Sequence, residues 1–124
     1  MEKLLIIMVN TDPRHGAELG APFFQATVAA AMEFEVEVVL TGGAGELAKK
    51  GVAENLYVQE GSDKSVYDFI TDAAEAGVNF KACTPTLDLL GVDKGGLIDE
   101  VEEVVGGAYV ISEAMDEDTC VMTY

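Results

Sequence analysis

Hydrophobic and polar positions along this chain change period between strand-like and helix-like segments. Residues 3–9 are almost continuously aliphatic, which is typical of a strand buried on both faces of a parallel sheet. Residues 34–41 begin with strict alternation and end apolar, so they predict a second strand with Glu35 and Glu37 on its wetter face. The remaining predicted strands are a short one at residues 56–58, then residues 78–83 and 119–124.

Helical spacing of apolar residues, with capping residues and glycines at the ends, separates these strands. The first helix is predicted to run to residue 31, beginning either at Pro22 or earlier, near Ala17. Residues 92–106 fit neither period. The other predicted helices are residues 46–50, residues 64–76 capped by Ser62 or Asp63, a short helix with Thr84 as N-cap and Pro85 at N1 that closes at Gly91, and residues 107–115.

Strands that alternate with helices predict an α/β fold. We expect a three-layer sandwich with a mostly parallel sheet of about five strands, helices on both faces and a flavodoxin-like topology. The 124 residues, 49% of them hydrophobic, suffice for one core, so the prediction is a single domain over residues 1–124. No internal repeat or low-complexity linker interrupts the sequence.

The net charge of −16 limits which kinds of molecule are expected to bind this chain. Such a surface repels phosphate backbones and anionic lipid, so nucleic acid and membrane partners are not expected. Residues 95–124 contain eight carboxylates and no Lys or Arg, which predicts a negative face that is either simply solvated or a docking site for a basic partner. With no spanning segment and no cleavage-site pattern, a cytoplasmic location is expected.

The reactive groups of a parallel sheet gather beyond the carboxyl ends of its strands. That rule selects three groups of residues at strand ends, with Thr11 a further binding candidate in the first loop. They are Asn10, Asp12, Arg14 and His15 after the first strand, Thr41, Gly42 and Gly43 after the second, and Cys83. His15, the only histidine, is either a base or donor near Cys83 or a solvated loop residue. The glycines at positions 42, 43 and 45 lack the ending of a phosphate-binding loop, and no metal-ligand spacing is present, so no cofactor is expected.

Cys83 is the candidate nucleophile because a helix start directly follows it. Free backbone N–H groups of the turn from Thr84 to Thr86 would stabilise a thiolate there, and Lys81 is expected on the same side of the strand. The alternative is that Cys83 is a small buried hydrophobe. Cys120 lies in the terminal strand and is expected to be packed and slow to react.

The segment of residues 82–92, ACTPTLDLLGV, resembles the active-cysteine segment of the DsrE/DsrF-like sulfurtransferases, in the small single-domain branch. The resemblance rests on Cys83 followed by a hydroxyl at Thr86, an acid at Asp88 and a glycine at Gly91, and it extends in element order over nearly the whole chain. It implies a cytoplasmic trimer or hexamer in which Cys83 carries sulfane sulfur as a persulfide. Its implied partners are a TusA-like carrier or a rhodanese-type donor, in sulfur oxidation or thiolation.

Two other functions remain open at the level of sequence. Cys83 would be inert in a binding or scaffold module that acts through its acidic surface. A thiol peroxidase-like activity would use the same cysteine, with Arg14 as the one nearby arginine.

Overall fold

The computed structural model describes residues 2–124 and contains one five-stranded sheet in which every pairing is parallel. The strands are β1 (Lys3–Met8), β2 (Glu35–Leu40), β3 (Asn79–Cys83), β4 (Val101–Val105) and β5 (Thr119–Thr123). Their order across the sheet is β4-β3-β2-β1-β5. The predicted α/β class, strand number and parallel pairing are therefore confirmed.

Four α-helices and four short 3₁₀ helices connect the strands. The α-helices are α1 (Gly20–Ala31), α2 (Val66–Glu75), α3 (Thr84–Leu90) and α4 (Gly107–Ala114). The 3₁₀ helices are Gly16–Leu19, Gly42–Ala48, Ala53–Asn55 and Lys94–Gly96. Within residues 2–124, no helix has both the length and the apolar character needed to cross a bilayer.

The strand order explains the three layers. The chain steps from β1 to β4 in one direction, and right-handed crossovers of that kind lie on one face of the sheet, where α1 packs on α2. The return from β4 to β5 carries α4 across the opposite face. Read from its other edge, the strand order of this sheet is 5-1-2-3-4, whereas that of flavodoxin is 2-1-3-4-5. In this chain the direction of the crossovers reverses at the last one, from β4 to β5, and in flavodoxin it reverses after the first one.

Two cores of unequal size result. The larger core lies under α1 and α2 and includes Ile6, Phe23, Val38 and Phe80, with the rings of Phe23 and Phe80 6.1 Å apart between centroids. The smaller core contains Leu5, Val39 and Cys83, with partly buried residues of α4 packed against it. The face under α4 is thus much less extensively packed than the opposite face.

Several local predictions were wrong. Residues 56–58 do not form a strand, and the segment left undecided contains β4. The predicted helix at residues 46–50 is instead the 3₁₀ helix Gly42–Ala48, and α1 starts at Gly20 after another 3₁₀ turn. The helix caps also shift by one to three residues: Ser65 caps α2 in place of Ser62 or Asp63, and Cys83, not Thr84, is the N-cap of α3.

Glu37 is buried, with 3% of its surface exposed, and does not lie on a wet face. Its Oε2 lies 3.1 Å from Nζ of Lys3 and accepts a 2.9 Å hydrogen bond from the hydroxyl of Tyr109. The same Lys3 nitrogen lies 3.1 Å from Oε1 of Glu113. Alternation predicted the face correctly, but α4 covers that face, and a paired carboxylate can be buried there.

Candidate functional site

Cys83 is the last residue of β3 and the N-cap of α3, and it has extended backbone angles. Its exposed fraction is 8%, and its side chain packs with Leu5 and Val39 on the α4 face of the sheet. Partly buried Ile7, Val110 and Ala114 pack against the same cluster. The thiol therefore lies where the sequence placed it along the strand, but in an apolar cluster and not in an open crevice.

The positive charge of Lys81 is already paired. Its Nζ lies 3.1 Å from Oε2 of Glu103 on β4 and 5.2 Å from the ring centroid of Tyr109 on α4. Lys81 and Cys83 share one face of β3 because they are two residues apart. The expected side is consistent with these contacts, but the ammonium group is bound to Glu103 and not free to pair with a thiolate.

The two threonines after Cys83 lie in different environments. Thr84 is exposed, and its hydroxyl donates a 3.3 Å hydrogen bond to the backbone oxygen of Val105 at the end of β4. Thr86 is 1% exposed, and its Oγ1 has no hydrogen-bond partner within residues 2–124. Thr86 packs so closely on Gly45 that a Cβ at that position would lie 2.3 Å from its Cγ2. Thr86 therefore positions α3 against the turn after β2.

Asn10 and Thr11 line a polar pocket of about 470 Å³ beyond the carboxyl ends of β1 and β2. Gly43 also lines the pocket. The neighbouring Gly42 has a φ of +54°, and a Cβ there would lie 2.9 Å from Cγ2 of Val9. The remaining lining residues are Val9, Asp12, Pro13, Arg14 and Glu46. Cys83 does not line this pocket, so the predicted site residues form two groups along one edge of the sheet.

His15 and Arg14 take part in local contacts. His15 is exposed, and its Nδ1 lies 3.7 Å from Oε1 of Glu18, so it is a loop residue and not part of the polar pocket. Arg14 donates two side-chain hydrogen bonds of 3.1 Å to the carboxylate of Asp12. These bonds, with one from the backbone N–H of Arg14, hold the pKa of Asp12 below its ordinary value.

The charged cluster under α4 shifts the pKa of two of its members. Burial and a hydrogen bond to Glu37 raise the pKa of Tyr109 above its ordinary value. Burial by itself lowers the pKa of Lys3, but hydrogen bonds to Glu113 and Glu37 outweigh it and leave that pKa raised. Both raised pKa values favour the protonated side chains of Tyr109 and Lys3, whose contacts with Glu37 and Glu113 connect α4 to the sheet.

Cys120 is exposed, so the prediction that it is packed is wrong. It lies on β5, an edge strand, at the register position of Leu4. On this face α1 covers the strands towards β2, so the side chain of Cys120 opens into a groove beside α1. Of the two cysteines, Cys83 is the buried one and Cys120 the accessible one.

The carboxylates of residues 95–124 do not form a single negative face. Asp99 and Glu102 lie at the β4 edge, whereas Asp116 and Asp118 precede β5 at the opposite edge. With a strand spacing of about 4.8 Å, four spacings separate the two edges by roughly 19 Å. Among residues 2–124, no group of three or more His, Cys, Asp or Glu side chains is arranged to hold a metal ion.

Sequence reasoning missed the residues that enclose Cys83. Val110 and Ala114 of α4 pack against the cluster that contains the thiol, and Tyr109 joins α4 to both Glu37 and Lys81. The helix itself is predicted by its sequence, but the face of the sheet that it covers depends on the position of β5. That position has no local signal in the chain.

The fold and the cysteine define a class: a parallel α/β protein with a thiol at the junction of a central strand and the following helix. A family model described as the DsrE/DsrF/DrsH-like family matches residues 43–122, and the chain belongs to this family. The resemblance seen in the sequence is thereby confirmed. A comparison with functionally curated proteins gives no match.

Two solved structures share the fold over their full length and that of this chain. The ychN protein from E. coli has 20% sequence identity and a TM-score of 0.78, with 100% of each chain covered. MTH1491 from Methanobacterium thermoautotrophicum, described as a protein of unknown function, has 18% identity and a TM-score of 0.64, again with 100% of both chains covered. At these identities the similarity concerns the fold.

Proposed function

We propose that this protein is a sulfur carrier that holds sulfane sulfur as a persulfide on Cys83 and passes it to an acceptor thiol. The observation that carries the proposal is the position of Cys83 between β3 and α3 in a chain of the DsrE/DsrF/DrsH-like family. Membership of that family indicates a role related to sulfur relay. The choice of Cys83 over Cys120 rests on the active-cysteine pattern of residues 82–92.

The reaction is an exchange between sulfur atoms without net oxidation. The Cys83 thiolate attacks the outer sulfur of a donor persulfide R–S–SH, the new Cys83 S–S bond forms, and R–S⁻ leaves with the electron pair of the broken bond. In the second step an acceptor thiolate attacks the outer sulfur, and Cys83 leaves as thiolate. Neither step requires a metal or a redox cofactor.

The surroundings of Cys83 suit a carrier more than a freely reacting thiol. Leu5 and Val39 line the thiol, so a bound sulfur would be sheltered from water and oxidants. Access must come either along the carboxyl edge of the sheet or by displacement of α4, which has no fully buried residue and whose Val110 and Ala114 lie against the cluster. Thr84 and Thr86 hold the start of α3 in place through Val105 and Gly45.

We further propose the partners and setting that the family implies. A TusA-like carrier or a rhodanese-type donor would exchange sulfur with Cys83, in sulfur oxidation or thiolation, in a cytoplasmic homo-oligomer. Asn10, Thr11 and Gly42 would lie nearest to a partner that approaches the carboxyl edge of the sheet, because they flank the polar pocket there.

The test is sulfur loading followed by cyanolysis, with each cysteine removed in turn. The full chain is incubated with glutathione persulfide and desalted, and thiocyanate release and intact mass are measured. We expect Cys120→Ser to retain most of the cyanolysable sulfur and the double variant Cys83→Ala, Cys120→Ser to lose it, with peptide mapping of Cys120→Ser placing one added sulfur on the Cys83 peptide. Cys120→Ser is the essential background, because the exposed Cys120 can react with the donor by itself.

Cys83→Ala is preferred to Cys83→Ser because an alanine keeps the cluster with Leu5 and Val39 apolar. Circular dichroism of each variant verifies the fold. Full loading of Cys83→Ala together with loss in Cys120→Ser would contradict the carrier role of Cys83. The burial of Cys83 in an apolar cluster favours one second candidate, a scaffold with a structural cysteine, which predicts no loading in the Cys120→Ser background.

A further inference from the structure

Helix α4 has a smaller contact with the sheet than α1 or α2. None of its residues is fully buried, whereas α1 and α2 each bury three. Two apolar residues of α4 lie against the Cys83 cluster, and two polar residues of α4 bind charged groups of the sheet. Moving α4 away from the sheet therefore exposes less apolar surface, and costs less free energy, than moving either of the other two helices. The partly buried residues of α4 are Tyr109, Val110, Glu113 and Ala114.

The polar contacts of α4 leave one buried oxygen unsatisfied. The hydroxyl of Tyr109 donates a 2.9 Å hydrogen bond to Oε2 of Glu37, and Nζ of Lys3 lies 3.1 Å from Oε1 of Glu113. Oε1 of Glu37 has no hydrogen-bond partner in the part of the chain that the structure describes. A buried carboxylate oxygen without a partner is costly, and water reaches it when α4 moves away. This gain offsets part of the contacts that are lost.

Two adjacent glycines join β4 to α4. Gly106 is the N-cap of α4 with a φ of −95°, Gly107 is the first residue of the helix, and neither has a positive φ. A Cβ on either glycine would meet no other heavy atom of residues 2–124 within 4 Å. The conformation of this link therefore does not require glycine at either position. Paired glycines give the backbone additional freedom, and hinges lie at the ends of elements in this way.

We propose that α4 is a lid over Cys83 that turns about Gly106 and Gly107. Tyr109 is the positioning residue that holds the lid closed through Glu37. With the lid closed, the cysteine is only 8% exposed, and when the lid opens, a donor or acceptor thiol reaches it from the α4 face. The role of the lid in sulfur transfer rests on the proposed function. The movement of the lid is measured on the thiol without any sulfur donor.

The rate at which a small maleimide labels Cys83 under native conditions tests the lid. The background is Cys120→Ser, which removes the exposed thiol, and intact mass reports the single added label. Tyr109→Phe removes the hydrogen bond to Glu37, keeps the ring and leaves Lys3 bound to Glu113. It should raise the labelling rate about tenfold, because a hydrogen bond to a charged group favours the closed form by roughly that factor or more.

Tyr67→Phe, in the same background, is the matched control. Tyr67 also donates a hydrogen bond to a carboxylate, Oε1 of Glu100 at 2.8 Å, but this bond holds α2 and not α4. The control should lower the stability to urea as Tyr109→Phe does, and it should leave the labelling rate of Cys83 within about twofold. Equal acceleration by the two variants would mean that Cys83 reacts through unfolding of the whole chain, and it would overturn the lid.

The hinge is tested by the double variant Gly106→Ala, Gly107→Ala in the same background. Both added methyl groups enter open space, so the closed form is retained, while the link loses freedom in the open form. The labelling rate of Cys83 should fall about fivefold. If either this variant or Tyr109→Phe labels as fast as its Cys120→Ser parent, the thiol is reached along the carboxyl edge of the sheet and the proposal is overturned. Sulfur loading of Cys83 is a separate measurement, so failure of the lid and failure of the carrier function are distinguishable.

Discussion

Gly45 and Thr86 determine how closely the turn after β2 approaches the helix that follows Cys83. A Cβ on Gly45 would lie 2.3 Å from Cγ2 of Thr86, well inside contact distance, and both residues are buried. The Cys83 segment therefore has a packing constraint three residues after the thiol. This contact gives a physical reason for the pattern of Cys83 followed three residues later by Thr86, because the side chain of Thr86 occupies the space beside Gly45 that a larger residue would fill.

Gly45→Ala should lower the free energy of unfolding by about 2 kcal/mol, the usual cost of an added methyl group in a packed site. Adding Thr86→Ser, which removes the colliding Cγ2, should restore at least half of that loss, although Thr86→Ser alone costs about 1 kcal/mol. Urea unfolding of the two single variants and the double variant measures this coupling.

Gly43→Ala is the matched control, because a Cβ there meets only the backbone oxygen of Val9 at 3.8 Å. It should be nearly neutral. Strictly additive effects of Gly45→Ala and Thr86→Ser would show that the two residues do not touch in the folded protein.

At the scale of the elements, the periodicity of apolar residues predicted four of the five strands but did not predict β4. The sequence VEEVV of β4 places Glu102 and Glu103 side by side, and the pairing with β3 shifts register between Phe80 and Lys81. An edge strand with one extra residue loses the alternation that identifies a strand. The prediction of the α2 N-cap was wrong for a different reason: Ser62 and Ser65 both suit a cap, but Ser65 forms a capping box with Asp68, a local signal that the choice of Ser62 or Asp63 overlooked.

The sequence predicts where a candidate residue lies along its own strand. It does not predict which other elements cover that residue. Cys83 at the end of β3 follows from local pattern, whereas the exposure of Cys120 depends on which face of β5 lacks a helix. That absence is a property of the strand order. Glu37 is the opposite example. Its position on β2 was predicted to face solvent, but α4, which comes much later in the chain, covers it.

Tyr67 joins α2 to the segment before β4, and this connection should be sensitive to pH. Its hydroxyl donates a 2.8 Å hydrogen bond to Oε1 of Glu100, and that bond together with burial raises the pKa of Tyr67 to about 12. The phenol of Tyr67 therefore keeps its proton up to a higher pH in the folded chain than in the unfolded chain. The stability this provides is fully present below pH 10 and is lost as the pH rises through about 12.

We therefore expect Tyr67→Phe to cost about 1 kcal/mol at pH 8 and to approach the wild type in stability between pH 10 and about 12. Urea unfolding at a series of pH values measures the difference. Tyr57→Phe, at an exposed tyrosine, serves as the control and should follow the wild-type curve. A difference between wild type and Tyr67→Phe that stays constant up to pH 12 would contradict the role of the Glu100 bond.

For the whole molecule, the carboxylates and the apolar surface occupy different places. Acidic residues lie at the β4 edge and, around Glu2, Glu35, Asp116 and Asp118, at the amino end of β1, β2 and β5. The groove beside α1 into which Cys120 opens is mostly apolar and has no carboxylate in its lining. The acidic and the apolar parts of the surface are thus separate from one another.

The net charge of the chain predicts opposite dependence on salt for two association reactions. Two copies with a charge of −16 each repel one another, so screening from about 0.02 to 0.3 M NaCl should tighten the self-association proposed for this chain. The same screening should weaken the binding of a basic TusA-like carrier, because the attraction that steers it is reduced. Sedimentation at several salt concentrations measures the first reaction, and titration calorimetry with the carrier measures the second. If both dissociation constants change in the same direction, a common salt effect on the fold explains them, and the division of the surface into an acidic and an apolar part has no bearing on association.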